Sequence, residues 1–552
     1  MTGADLVART LRACGVTFLS TLVGNGIHPL LQAARRAGLR VIDTRNEQTA
    51  SYMAEAYGRF TRRVGVCVVS SSVGCANGLI GMVNAQFDGA PMLLIGGASD
   101  HTYTDRGKFQ DFDQVAMAAS VGRYARLVER AEKIPFYLRE AISRATAARP
   151  GPVHLTIPEN VLEAEVGPLP AAPTGGGDGA VHHRCPGDPR LVHEVAAAIA
   201  RARRPILVAG SGVFYAGGDD ALARFVQRTA IPVVVPIWDR GPVSSPMPHF
   251  MGVVGAASGG PALLEEADLI LLAGARVDYR VGYLQPPAVR EDATIVRIDV
   301  DPLELRQGID PHIAVQGDPR SVLEQLEGRI VGGAAPEHVA WLEEARRRDD
   351  AFRGTWRGWR ATHGGPITGL QVVEALRPFV RRDAVLVVDG GNIGQWVHMA
   401  LCDRYPGHWM TCGASGVVGF GIGAAIAARV AYPDRPVILL SGDGSMGFNI
   451  SDLESAARQG LPFVAVVADD RAWGITASNQ MARYGRENTV ACMLGSIRFD
   501  LAAEAFGAIG LRVQAAEEIG PAVERGLSAD RPTVIHVPVA LGGPAASFDH
   551  VR

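Results

Sequence analysis

No Cys-x-x-C pair occurs anywhere in the chain, and its seven cysteines (14, 67, 75, 185, 402, 412 and 492) are scattered and odd in number. That pattern suggests neither a disulfide framework nor a zinc site, and it fits a reducing, cytoplasmic setting. Net charge is nearly absent too: 54 Lys and Arg stand against 57 Asp and Glu, a formal −3. No global basic field exists to hold nucleic acid or an anionic membrane, so small-molecule chemistry is expected. A long hydrophobic run is also missing. The longest charge-free apolar stretch, VVGFGIGAAIAA at 417–428, is Gly-rich and too short for a bilayer that needs about 20 residues. No membrane insertion is expected. The opening MTGADLVARTLRACGV carries Asp5 and Arg9 inside what would be the apolar part of a signal peptide, which argues against secretion.

What is present is a folding composition, with 47% hydrophobic and 20% charged residues in 552. That length exceeds one hydrophobic core and suits several domains of roughly 100 to 200 residues. Short apolar runs bounded by Gly or Asp recur between helical patterns: VGVCVVSSS, PMLLIGG, PVHLTIP, PILVAGSG, IPVVVPIWD, DLILLAGA, TIVRIDV, AVLVVDGG, PVILLSGDG, FVAVVADD and TVIHVPV. Runs of this kind are buried parallel strands and the segments between them covering helices, so the class is α/β throughout. A Gly- and Pro-rich stretch at 167–187 is a linker, and a charged helical stretch at 331–365 connects two further units. Three α/β domains are expected, at 1–166, 188–330 and 366–552, the last with a C-terminal tail. Open parallel sheets bind ligands beyond the carboxyl ends of their strands, in loops such as VVSSSVG, VVDGGNIG and LLSGDGSMG.

The strongest chemical signal is LLSGDGSMGFNISDLESAARQGLPFVAVVADDRAWGI. A strand ending in Gly442-Asp443-Gly444 lets backbone approach a phosphate, and the helix after it presents N–H donors at its positive end. A second strand ends at Asp470, 27 residues on. Asp443, the Asp470 side chain and the Ala472 carbonyl offer oxygen ligands to one Mg²⁺, with a diphosphate completing the shell. A Gly-Asp-Gly by itself is equally a plain strand-to-helix turn.

This segment resembles the thiamine diphosphate signature, except that Asp469 and Asp470 stand where that family usually has an Asn pair. The added carboxylate puts another negative charge near a polyanionic diphosphate. With IDTRNE, FDQVAMAAS, GVVGFGIGAAIAARVA and GDGSMGFNISDLES, the resemblance covers nearly the whole chain, in the domain order of acetohydroxyacid synthase, pyruvate oxidase and benzaldehyde lyase, with local motifs most like benzaldehyde lyase. It implies pyrimidine-binding, central and diphosphate-binding domains and a C–C lyase or carboligase acting on 2-keto acids, aldehydes or 2-hydroxy ketones through a C2 ylide and an enamine. It implies cofactor contacts at Asn25, Gly26, Glu47, Gly391, Asn392, Gly416, Val418, Gly442, Asp443, Gly444, Ser445, Asp470, Ala472, Trp473 and Gly474, and a dimer or tetramer with Glu47 of one subunit reaching the cofactor of another.

In that scheme Glu47 exchanges a proton with the aminopyrimidine, Val418 holds the cofactor bent, and Gln110 faces the oxygen that gains charge during addition. Without the family, Glu47 is an acid at a helix start, Val418 core and Gln110 a polar loop residue. His28 is a candidate proton carrier, though a lone loop His is more often solvated. Arg280, in GARVDYR, matches a 2-keto acid ligand of the synthases or pairs with a local Asp. Glycines at 210–212 leave room for FAD or ADP in the central domain. The paired His of pyruvate decarboxylases and the Trp-Gln of the synthases are missing. Rival readings are a nicotinamide dehydrogenase, from GFGIGAAIAA, a non-ligating decarboxylase, a 2-hydroxyacyl-CoA lyase, for which the tail SFDHVR offers no basic cluster, and a degenerate relative that only binds partners.

Overall fold

The computed structural model describes residues 1–167, 184–239, 241–254, 260–356, 365–401 and 409–543. Most of the 167–187 linker, Cys402, part of the 331–365 connection and the tail SFDHVR lie outside the described residues. Three six-stranded sheets carry the α/β class, and their strands pair in parallel.

The first sheet comprises β1 (Phe18–Leu22), β2 (Arg40–Asp43), β3 (Gly65–Val69), β4 (Met92–Ala98), β5 (Tyr124–Leu127) and β6 (Pro152–Pro158), in the order β2-β1-β3-β4-β6-β5. The second comprises β7 (Pro205–Ala209), β8 (Val233–Pro236), β9 (Phe250–Val254), β10 (Leu269–Ala273), β11 (Thr294–Asp299) and β12 (Ile313–Gln316), in the order β12-β11-β10-β7-β8-β9. The third comprises β13 (Val385–Asp389), β14 (Trp409–Thr411), β15 (Val437–Gly442), β16 (Val464–Asp469), β17 (Ile509–Arg512) and β18 (Thr533–Pro538), in the order β14-β13-β15-β16-β18-β17. The first and third sheets therefore share one topology, a repeat that no short sequence period announces. In each, the order reverses between the first strand and the third, which opens a crevice beyond their carboxyl ends.

The apolar runs are strands because helices cover both faces. β3, β6 and β7 are buried at every position, as a parallel strand inside such a sandwich must be. The Ser of β1 survives there because Ser20 Oγ donates to Ala50 O at 2.6 Å. The charged connection contains the helix Pro336–Gly354, whose Trp341 donates from its indole to Pro205 O at 3.0 Å and shares the apolar core of the middle sheet.

The outer domains share a single core, in which Phe18, Tyr52 and Met53 meet Val385, Phe420 and Leu439. The helices Glu47–Thr61 and Gly421–Ala431 approach closely there: a Cβ on Gly423 would sit 2.9 Å from Thr49 O. Helix packing, rather than a dinucleotide turn, thus accounts for that glycine of GFGIGAAIAA. Asp452 fastens the contact, accepting from Thr49 Oγ1 and from Arg45 N, each at 2.6 Å.

Candidate cofactor cleft at the strand reversal

The third sheet's reversal lies between β13 and β15, and the loops leaving those strands frame a cleft of about 280 Å³. One wall is Gly390–Asn392, another Gly442–Ser445, and a third Asp470 with Ala472–Thr476. Glycines set how near these walls come. A Cβ on Gly444 would lie 2.6 Å from the Trp473 ring, and one on Gly474 2.3 Å from Asp470 Oδ2.

Asp443 opens the helix Asp443–Phe448 with its side chain almost wholly buried. Asp470 follows β16, accepting from Asn392 Nδ2 at 3.0 Å and from Ala472 N at 3.2 Å. Burial first, and the charge of Asp470 second, push the Asp443 carboxyl well above the ordinary carboxylate range. Burial likewise raises Asp470, against the opposing hydrogen bond from Asn392. Asp470 opposes the ionisation of Asp443, a penalty that a cation placed between the two carboxyl groups reverses. Among the described residues no group of three or more His, Cys, Asp or Glu forms a metal cage. The donors therefore fit a Mg²⁺ that takes its remaining oxygens from a carbonyl and a diphosphate.

Asp469, the second half of the acidic pair, does not line this cleft. Its carboxylate meets His536 Nε2 at 2.9 Å and accepts from Arg471 N at 3.1 Å, while His536 Nδ1 faces Asp500 at 3.3 Å. The Asp469 carboxylate is thus engaged from behind by an imidazole that lies between two carboxylates.

Gly416 and Val418 also line the cleft. Their loop is held by the helix Val73–Asp88 of the first domain: Asp88 Oδ1 accepts from Ala414 N at 3.0 Å, and Ser415 Oγ donates to Asn84 Oδ1. A Cβ on Gly413, whose φ is +83°, would fall 1.8 Å from Asp88 Oδ2. Behind Asp88 lie Arg59 and Glu55, both fully buried, with Arg59 Nη1 at 3.5 Å from Asp88 Oδ2 and 3.3 Å from Glu55 Oε1. Burial outweighs the guanidinium and pushes Glu55 up to about 7. Asp389, raised by burial to about 6, accepts from Gly419 N and Gly421 N.

The remaining expected residues gather at the matching reversal of the first sheet, between β1 and β3. Asn25 Nδ2 donates to Ser71 Oγ at 3.3 Å and Ser99 Oγ at 3.0 Å, and Ser71 Oγ donates to Gln110 Oε1. Gly26 has φ +83°, and a Cβ there would sit 2.8 Å from Ala98 N. Glu47 is the first residue of its helix, capped by Asn46, and accepts from Asn77 Nδ2 at 2.8 Å. His28 stands exposed at a helix start. None of these lines the cleft of the third sheet within one chain; its described walls come from residue 238 and from 369 onward.

Arg280 is not brought to the cleft either. Its guanidinium is buried, bonded to Asp278 Oδ2 from Nη2 at 2.9 Å and 3.9 Å from Asp239, so the local pairing is the one realised. Missing from the sequence reading were Trp238, Cys412 and Ile475, which line the cleft, and Asn84 and Asp88, which hold its loop. No local motif marks them.

The middle sheet reverses between β7 and β10, beside Ser211, Gly212 and Gly274. The crevice there also holds Arg149, Arg276 and Asp299, but its free volume is about 50 Å³, because Glu304 lies between the two guanidiniums, 2.6 Å from Arg149 and 3.7 Å from Arg276.

Comparison with known proteins matches residues 1–117 to the thiamine pyrophosphate enzyme N-terminal TPP binding domain, 192–326 to its central domain and 389–537 to its C-terminal TPP binding domain. A probable acetolactate synthase of Mycobacterium bovis is 30% identical over 99% of this chain and 97% of its own length. The acetolactate synthase isozyme 2 large subunit of Escherichia coli K12 is 28% identical over 98% and 96%. Human 2-hydroxyacyl-CoA lyase 2 is 32% identical over 92% and 84%. With two outer sheets of one topology, a middle domain between them in the chain and relatives aligned nearly end to end, the chain belongs to the thiamine pyrophosphate (thiamine diphosphate) enzyme family.

Proposed function

We propose that this thiamine diphosphate-dependent enzyme makes or breaks a carbon–carbon bond next to a carbonyl, with a 2-keto acid, an aldehyde or a 2-hydroxy ketone as substrate and Mg²⁺ as its metal. One observation carries the reading: Asp443 and Asp470 meet at the reversal of the third sheet, while Glu47 and Gln110 stand at the equivalent reversal of the first. When bound, the cofactor supplies the electron sink for charge developing beside a carbonyl. Asp443, Asp470 and the Ala472 carbonyl hold the metal and through it the diphosphate. Glu47 holds and returns a proton at the aminopyrimidine. Val418 supports the bend between the rings, and the Gln110 amide donates to the substrate oxygen as it becomes negative. His28 is a further proton carrier at the entrance.

The half-sites come together between protomers, so the working unit is at least a dimer, with a tetramer as the larger form. Supporting this, Val73, Phe109 and Phe112 of the first domain and Phe448, Val490 and Met493 of the third are exposed in the single chain. FAD or ADP would enter the middle crevice only by exchanging Glu304 for phosphate at Arg149 and Arg276. The scattered cysteines favour the cytoplasm as its setting.

The runner-up is a 2-hydroxyacyl-CoA lyase, favoured by the human relative of that name. NMR of reactions with thiamine diphosphate and Mg²⁺ separates them, offering pyruvate with and without benzaldehyde, benzaldehyde alone, and a 2-hydroxyacyl thioester. Acetolactate, acetoin or a mixed aromatic ketol establishes a keto-acid-dependent carboligase; benzoin from benzaldehyde alone, an aldehyde lyase. CO₂ with free aldehyde and no ketol means a non-ligating decarboxylase. Cleavage of the thioester alone establishes the lyase, and silence throughout, with no cofactor bound, a degenerate relative.

A further inference from the structure

Among the described residues lining the cleft, Trp238 is the one contributed by the middle domain. It stands beyond β8 and shares the lining of the cleft with Cys412, Gly416, Val417 and Val418 of the segment that follows β14. Its backbone is held in the left-handed region, at φ +65°. For a bulky residue that conformation is a true outlier, and it persists only where surrounding contacts over-determine it.

Three such contacts exist, one from the third domain and two from the neighbouring residues Tyr279 and Arg280 beyond β10. Thr411 Oγ1, at the end of β14, donates to Trp238 O at 3.1 Å. Tyr279 places its ring 6.1 Å from the indole, tilted by 50°, and donates from its hydroxyl to Ala414 O at 3.0 Å, which ties the indole to the cofactor loop. Asp239, the next residue, is buried 3.9 Å from Arg280, whose other nitrogens are fixed on Asp278. Arg280 thereby acquires a role that its sequence motif does not suggest: it anchors the turn carrying Trp238.

We propose that Trp238 is a specificity-determining wall of the active cleft, selecting a carbonyl substrate whose aryl or branched-alkyl group lies against the indole. The proposal rests on the carboligase reading for its reaction and adds the class of group the substrate carries. A half-buried indole offers a flat apolar face with no charge, so it favours an apolar substituent of matching breadth and gives a methyl group little to touch. Discrimination of this kind, between an aryl and a methyl substituent, is worth about 10- to 100-fold in kcat/KM.

The test uses the full-length enzyme with thiamine diphosphate and Mg²⁺, comparing the wild type with Trp238→Ala and Trp238→Phe. Self-ligation of benzaldehyde and of acetaldehyde gives a kcat/KM ratio, cofactor affinity is titrated in parallel, and saturation-transfer NMR reads contact between benzaldehyde and the protein. The expected result is a ratio that falls about 10- to 100-fold in the Ala variant and by less than about threefold in the Phe variant, with cofactor affinity held. Equal loss for both aldehydes, or an unchanged ratio, overturns the proposal. If the wild type ligates neither aldehyde, the aldehyde-ligating form of the carboligase reading fails by itself. Loss of the benzaldehyde saturation-transfer signal in Trp238→Ala then supports the wall, and an undiminished signal overturns it.

Discussion

Replacing Asp88 by Ala removes a carboxylate that joins the cofactor loop to the buried charges of the first domain. Ala414 N–H loses its acceptor at 3.0 Å, and a buried donor left unsatisfied costs about 1–3 kcal/mol. Arg59 loses the carboxylate at 3.5 Å, and stripping one partner from a buried ion pair costs about 3–5 kcal/mol. Part of that loss is recovered, because Glu55, held up to about 7, ionises more fully once Asp88 no longer repels it. The net destabilisation is then on the order of 3–5 kcal/mol, a fall of several degrees in melting temperature. The freed loop carries Gly416 and Val418, so thiamine diphosphate affinity at saturating Mg²⁺ should drop about tenfold, equivalent to about 1.4 kcal/mol. Asp88→Asn separates the two effects: it keeps an oxygen for Ala414 N while losing the charge, and should be destabilised but bind cofactor within about threefold of wild type. Thermal melts and calorimetric titration measure both. An Asp88→Ala protein that melts and binds like the wild type refutes the idea that this carboxylate holds the loop.

Asp443→Asn should weaken Mg²⁺-dependent cofactor retention about 10- to 100-fold in equilibrium dialysis, and wild-type retention would remove Asp443 from the metal site. Glu55 makes stability depend on pH with a definite sign. Its folded pKa of about 7 lies above the ordinary 4.5, so the folded state binds more protons in that window and loses up to about 3 kcal/mol as pH rises through it. Glu55→Gln should lose less melting temperature than the wild type between pH 5 and 7.5, whereas parallel curves contradict the assignment. Glu47→Gln and Asp443→Asn, each inactive alone, should recover about a quarter of wild-type activity after dissociation and remixing, since half of random dimers are mixed and each holds one intact site. No recovery would place both residues in one chain's site.

The central strands were legible because each is buried along its length and flanked by turn residues, as GVCVV of β3 and VILLSG of β15 illustrate. Edge strands were not: WMT of β14 is three residues long, and YARL of β5 is largely half-buried, so neither carries an unbroken apolar run. The acidic end of the site was readable because Asp443 and Asp470 close strands that are neighbours in the sheet. The rest depended on distance along the chain. Asp88 and Ala414 are 326 residues apart, Trp238 and Thr411 are 173 apart, and nothing local in FDG or PIWD announces either partner. Arg280 shows the opposite case, a residue whose motif points to substrate but whose nearest carboxylate lies two residues away.

The most direct measurement is the C2 proton exchange of enzyme-bound thiamine diphosphate in deuterated water, followed by NMR after rapid acid quench, for the wild type and Glu47→Gln. The account predicts fast exchange in the wild type and a loss of about 100-fold or more in the variant, with cofactor affinity retained. Exchange at the wild-type rate in Glu47→Gln would contradict it.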